Sequence, residues 1–193
     1  MSDASRIDEI EESTYTYADY LEWNDGKRYE IIDGIAYMMA APAPNHQRIS
    51  MELSRQFSNF LLGKPCRVFA APLDVRLFPQ KDLTDDTVVQ PDLLVVCDKT
   101  KLDKRGCNGA PDLVIEILSP SNDAEEMLRK FQKYLQAGVR EYWVVDLDNH
   151  LIQVHIFDKG HYISSVYDGN ALVPVSILLE LRIDLNALWG VLE

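Results

Sequence analysis

Apolar and polar positions change period several times along the chain, and each change marks an element. Tyr15 to Trp23 (YTYADYLEW) predicts a short helix capped by Thr14 or Thr16. Arg28 to Ala40 alternates as two β-rich runs around Asp33-Gly34, the dipeptide a type I′ hairpin turn prefers. After Pro42 and Pro44 break the chain, Ile49, Leu53, Phe57, Phe60 and Leu61 recur at helical spacing. They predict a helix with one buried stripe, Asn45 as its N-cap and Gly63 as its stop.

Three strands are expected next, in Arg67 to Phe78, Val88 to Cys97 and Asp112 to Ser119. The runs VVQPDLLVV and DLVIEIL are apolar on both faces, as in central strands covered from two sides. Asn122 and Glu125 have the spacing of a capping box, opening a helix to about Ala137 with Gly138 as its C-cap. Glu141 to Asp146, Leu151 to Phe157 and His161 to Tyr167 read as a β-meander. The apolar last twenty residues are expected to pack back on the body. This order gives an α/β (α+β) class: a central mixed β-sheet flanked by helices, an N-terminal hairpin and a C-terminal meander. No repeat or linker divides residues 1–193, so a single domain is expected, with 1–13 flexible.

Composition narrows the function classes. No apolar run reaches the roughly 18 residues of a membrane span, and the N-terminus lacks signal-peptide features, so the expectation is no membrane and a cytoplasmic location. Cys66, Cys97 and Cys107 form no CxxC pair and are expected to be reduced thiols, which excludes a zinc site. Nineteen basic against 31 acidic residues leave a net charge of −12. Such a chain repels phosphate at long range, and composition alone argues against tight nucleic-acid binding. The densest basic stretch is 98–105 (DKTKLDKR), expected to line any DNA path.

Three residues look chemical. Glu116 stands mid-strand in LVIEILS, where a carboxylate is costly unless paired, protonated or metal-bound. Asp92 follows Pro91 at the start of the preceding strand. If the two strands pair, at about 4.8 Å, both carboxylates can share one hard cation such as Mg2+ or Mn2+. On the later helix, Met127, Leu128, Phe131, Tyr134 and Leu135 centre an apolar face. Lys130 falls roughly 100° from that centre and Lys133 roughly 160°. Lys130 can therefore turn inward beside Tyr134, while Lys133 is expected in solvent.

Several blocks together resemble a known family. RYEIIDG with Glu30, PAPNHQRIS with His46, APLDVRL with Asp74, VVQPDLLVV, PDLVIEILSPSN and RKFQKYLQAGVREYWVVD occur in the order of the Uma-type restriction endonucleases, within the PD-(D/E)xK superfamily. The resemblance runs from about Tyr15 to Phe157 and implies a restriction-endonuclease-like core. It further implies hydrolysis of DNA phosphodiester bonds with Mg2+ or Mn2+, and a homodimer. Asp92 and Glu116 would be metal ligands, Glu30 an additional acid, and His46 and Asp74 supporting residues; Tyr134, beside Lys130 on the helix, is a further supporting candidate. The superfamily lysine two positions after the acid is absent, because residue 118 is Leu; Lys130 matches the helix lysine that replaces it. The competing expectation is a catalytically inactive descendant serving as a nucleic-acid-binding or accessory module.

Overall fold

A computed structural model describes residues 14–119 and 124–192. The flexible segment expected at 1–13 and the cap expected at Asn122 fall outside them. Helix α1 (Tyr17–Glu22) is capped by Thr16, whose hydroxyl accepts the Asp19 N–H while the Asp19 carboxylate accepts the Thr16 N–H. The hairpin of β1 (Tyr29–Ile32) and β2 (Ile35–Met38) turns at Asp33 and Gly34, with φ of 52° and 76°. Those signs are what a type I′ turn requires.

Helix α2 (Pro44–Leu61) differs from expectation at its start. Its N-cap is Ala43, without a side-chain hydrogen bond, and Asn45 is exposed inside the first turn. Pro44 occupies the first helical position, where a missing N–H costs nothing. Ile49, Leu53, Phe57 and Leu61 are buried, and Phe60 is partly so.

The strands build two six-stranded sheets rather than one. The first holds β1, β2, β4 (Val75–Arg76), β5 (Val88–Val89), β7 (Leu102–Asp103) and β8 (Gly106–Asn108), in the order β2-β1-β5-β4-β8-β7. The second holds β3 (Arg67–Ala70), β6 (Leu93–Val96), β9 (Leu113–Ile117), β10 (Glu141–Asp146), β11 (Leu151–Asp158) and β12 (His161–Asp168), in the order β12-β11-β10-β9-β6-β3. Two runs read as continuous strands are therefore divided between sheets. In VVQPDLLVV the division falls at Pro91, which has no N–H to give a ladder. Strand β9 lies between antiparallel β6 and parallel β10. The expected meander is β10, β11 and β12.

Both faces of the second sheet are covered over its central strands, while β12 at its edge is largely exposed. Leu93, Val95, Leu113, Ile115, Ile117 and Trp143 pack under α2 and the C-terminal segment, which contains β13 (Leu172–Pro174), β14 (Arg182–Asp184) and α4 (Leu185–Gly190). Leu94, Val96, Val114 and Tyr142 pack on the other face with Tyr134 of α3 (Ala124–Ala137) and with Ile32, Val75 and Val89 of the first sheet. The sheet is thus held between α2 and α3, and the first sheet closes one end of that sandwich.

The reduced-thiol expectation fails for two of three cysteines. Cys66 and Cys97 are joined by a disulfide, and Cys107 is free and buried. Arg67 pairs with Val96 in the antiparallel β3–β6 ladder, so Cys66 and Cys97 are the next cross-strand pair. That proximity depends on register between segments 31 positions apart, which spacing alone does not reveal.

One glycine is sterically fixed. Gly106 has φ 132°, and a Cβ there would lie 2.1 Å from the Asp74 carbonyl oxygen. Gly106→Ala is expected to lower stability by about 1–3 kcal/mol, because backbone must move. Chemical denaturation with an unchanged midpoint would show that the close approach is not needed.

Candidate functional site

Extending the β6–β9 register by one pair from Leu93↔Ile115 sets Asp92 opposite Glu116. The strand pairing expected from sequence thus brings the two acids together. Each has one oxygen fixed. Asp92 Oδ2 accepts the Ile117 N–H at 2.8 Å and lies 3.1 Å from His46 Nε2. Glu116 Oε1 accepts from Tyr134 Oη–H at 2.7 Å and from Lys130 Nζ at 2.7 Å. No hydrogen bond within the described residues engages Asp92 Oδ1 or Glu116 Oε2.

Lys130 is 4% exposed, and its ammonium also reaches Glu30 Oε1 at 3.0 Å. Glu30, 2% exposed on β1, is steadied by the Gln90 N–H at 2.6 Å. Three elements, β1, β9 and α3, and the residue just before β6 therefore converge on one cluster. The helix is rotated from its expected phase. Lys130 and Tyr134 are the buried residues of α3, whereas Leu128 is 56% exposed. The lysine stands near the middle of the buried face, not at its edge, because two carboxylates make burial of its charge tolerable. Lys133 is also not free in solvent; its ammonium pairs with Asp33 in the hairpin turn. That contact is partly exposed, so Lys133→Ala should cost less than about 1 kcal/mol. A larger loss on thermal or chemical denaturation would contradict this placement.

Charge states follow from burial and neighbours. Desolvation pushes the Glu116 carboxyl up to about 7; Lys130 opposes the rise, and the charges of Asp92 and Glu30 add to it. Burial works against the Lys130 charge, but Glu116 and Glu30 outweigh it and hold the ammonium above the ordinary lysine range. Burial also disfavours protonation of His46, yet the hydrogen bond and charge of Asp92 prevail and raise its pKa.

The remaining expected residues divide. Asp74 accepts from Tyr17 Oη–H at 2.7 Å and Gln90 Nε2–H at 2.8 Å. Among the described residues its link to the cluster runs through Gln90. His46 and Lys130 line a cleft of about 490 Å³ together with Arg28, Glu30, Asp92 and Glu116. The basic stretch 98–105 contributes nothing to that lining: Lys101 donates to the Ala110 carbonyl, and Asp103 pairs with Arg76. Gln90 is the residue that sequence reasoning missed. Its available signal was the following proline, which biases position 90 toward extended backbone and so directs its N–H away from a helical partner.

The donor set suits a hard divalent cation. Asp92 and Glu116 stand opposite each other across the paired strands, and each has one carboxylate oxygen without a hydrogen bond among the described residues, with no thiol or imidazole required. Among the described residues no group of three His, Cys, Asp or Glu side chains is close enough to form a metal cage. Mg2+ does not need one; it commonly takes one or two carboxylates and keeps water and phosphate as its other ligands.

The arrangement is that of a restriction-endonuclease-like fold. It is shared with a crystal structure from Anabaena variabilis described as a putative nuclease belonging to DUF820, with a TM-score of 0.75, 24% identity, and coverage of 93% of this chain and 99% of that one. Residues 17–186 match the Uma2 family, described as "Putative restriction endonuclease", and the chain belongs to that family. It is also 29% identical over 171 residues to the uncharacterized protein slr1290 of Synechocystis, covering 86% of this chain and 87% of that one. No helix among the described residues is long and apolar enough to cross a membrane.

Proposed function

We propose that this protein is a divalent-metal-dependent endonuclease hydrolysing DNA phosphodiester bonds, with Asp92 and Glu116 as metal ligands. The observation that carries the reading is the buried Lys130 ammonium, held by Glu30 and Glu116 where Glu116 faces Asp92. The Glu30 and Lys130 contacts alone would be a structural ion pair. Their position on a cleft shared with Asp92 supports a site over a buried bridge.

Bound Mg2+ or Mn2+ would lower the pKa of a water and neutralise charge on the scissile phosphate. The chain's own residues do the rest. Tyr134 and Lys130 fix Glu116 Oε1, leaving Oε2 for coordination; His46 and the Ile117 N–H fix Asp92 Oδ2 in the same way. An ammonium has three donors, and two are used on Glu30 and Glu116. The third is available to a phosphate oxygen or the attacking water, where a compact point charge stabilises the developing anion. No covalent intermediate is required.

The acidic cleft bears on the charge objection. Glu30, Asp92, Glu116 and Glu126 line it against Arg28 and Lys130, so phosphate is repelled until a cation is present. The inactive-module reading draws support from the same acidity and from the two-carboxylate donor set. Incubation with plasmid DNA separates the two. Mg2+ or Mn2+ should produce nicked and linear forms that EDTA suppresses, whereas metal-dependent binding without any cleavage would sink the nuclease reading.

A further inference from the structure

Beside the cleft, on the α4 side, lies an adjoining recess of about 530 Å³. His46 and Ser119 line both spaces, so whatever occupies the recess lies beside whatever occupies the cleft. Trp189, 9% exposed, lines it, with the His150 ring stacked on the indole at 5.1 Å between centroids and 17° between planes. Two of its lining side chains carry buried nitrogens without a hydrogen-bond partner among the described residues, Trp189 Nε1 and His46 Nδ1.

These features select a ligand class. An indole N–H only donates, so Trp189 calls for an acceptor. The Asp92 carboxylate accepts from His46 Nε2, which leaves Nδ1 as a second polar edge, a donor on the charged ring and an acceptor on the neutral one. Among the described residues no lysine or arginine lines the recess and Asp148 does, so a phosphate or carboxylate is disfavoured. A planar, uncharged group with donor and acceptor edges remains, beside an aromatic surface on which it can stack. We infer that the recess receives a nucleobase unstacked from the strand whose phosphate enters the cleft. The inference rests on the nuclease reading and adds to it the feature of the substrate being recognised. Bases drawn out of a strand are held in this manner, by stacking on aromatic rings and hydrogen bonds to their edges.

Trp189→Phe keeps a ring while removing the donor, and His150→Ala removes an exposed ring without disturbing the core. The measurement is kcat/KM with Mn2+ on a mixed-sequence single-stranded oligonucleotide and on an equally long oligomer of abasic residues. Wild type should favour the base-bearing strand, and each variant should reduce that ratio by roughly 5–100-fold. Ratios equal to wild type in both variants would overturn the base site while leaving the nuclease reading intact. If wild type cleaves neither substrate, the nuclease reading fails, and calorimetric titration with the four nucleosides decides the recess. Nucleoside binding that Trp189→Phe abolishes would still support a base site; no binding of any nucleoside would overturn it.

Discussion

Lys130→Met will both destabilise the protein and silence its cleavage, and the two losses will respond differently to pH. The substitution leaves Glu30 and Glu116 buried without their cation, and breaking such a group from one side typically costs about 3–5 kcal/mol. Glu116 offers a partial escape. A carboxyl whose pKa is raised on folding binds its proton more tightly in the native state, so protonation supports the fold at low pH. That support fades as pH rises through the folded value, already about 7 with the lysine present. Wild-type Lys130 stays charged throughout this range. The stability deficit should therefore be smaller at mildly acidic pH and grow toward alkaline pH. Cleavage should fall about 10²–10³-fold at every pH, as for loss of a charge stabiliser in a preorganised site. The Mn2+-induced rise in melting temperature should survive, because Asp92 Oδ1 and Glu116 Oε2 remain. Cleavage at the wild-type rate would make Lys130 a structural cation only.

Glu116→Gln should show the opposite pattern. A glutamine oxygen can still accept from Tyr134 and Lys130, and Glu30 continues to neutralise the ammonium. Without metal, the variant should melt close to wild type at low pH. Wild type loses stability as pH rises from the ordinary 4.5 through about 7, since there it must surrender a proton held more tightly in the folded state. The variant lacks that titration and should become the more stable protein above neutrality. Metal reverses the order. Ligand at 100 times its Kd adds about 2.7 kcal/mol to the wild type, while the variant should gain little. Cleavage should drop by more than the roughly 10–100-fold expected for an outer partner of a metal ligand. Wild-type affinity for Mn2+ should itself climb as pH rises through about 7, because the proton and the metal compete for one carboxylate. A melting temperature indifferent to Mn2+ in both proteins would refute the metal site.

Much of this site was legible where a local pattern and a chemical oddity coincided. Glu116 stood out because an acid in the middle of LVIEI has no cheap explanation, and β9 is indeed fully buried along its length. Lys130 could be turned inward by helical geometry, although its depth could not be judged. The apolar residues set the expected phase, and the wheel gave no weight to two acids arriving from other elements. Leu128 was misplaced for the same reason. The hairpin turn was readable from Asp33-Gly34 because its dihedral requirement is local. Sheet membership was not, since β4 and β5 are two-residue strands whose partners lie far away in sequence. Gln90 and the Cys66–Cys97 pair share that difficulty: each depends on a register that no window of sequence contains.

The passage from β5 to β6 has a consequence for how this protein can vary. Only Gln90, Pro91 and Asp92 separate Val89 of the first sheet from Leu93 of the second. Those residues carry the Glu30 anchor, the ladder break and an acid of the cleft in three consecutive positions. A single insertion or deletion there would shift one flanking strand by half a pleat and exchange its inward and outward side chains. Length changes that surface loops elsewhere tolerate would be lethal to the fold at this junction. Its length, more than the identity of any neighbouring core residue, is what a redesigned or recombined version of the chain must preserve.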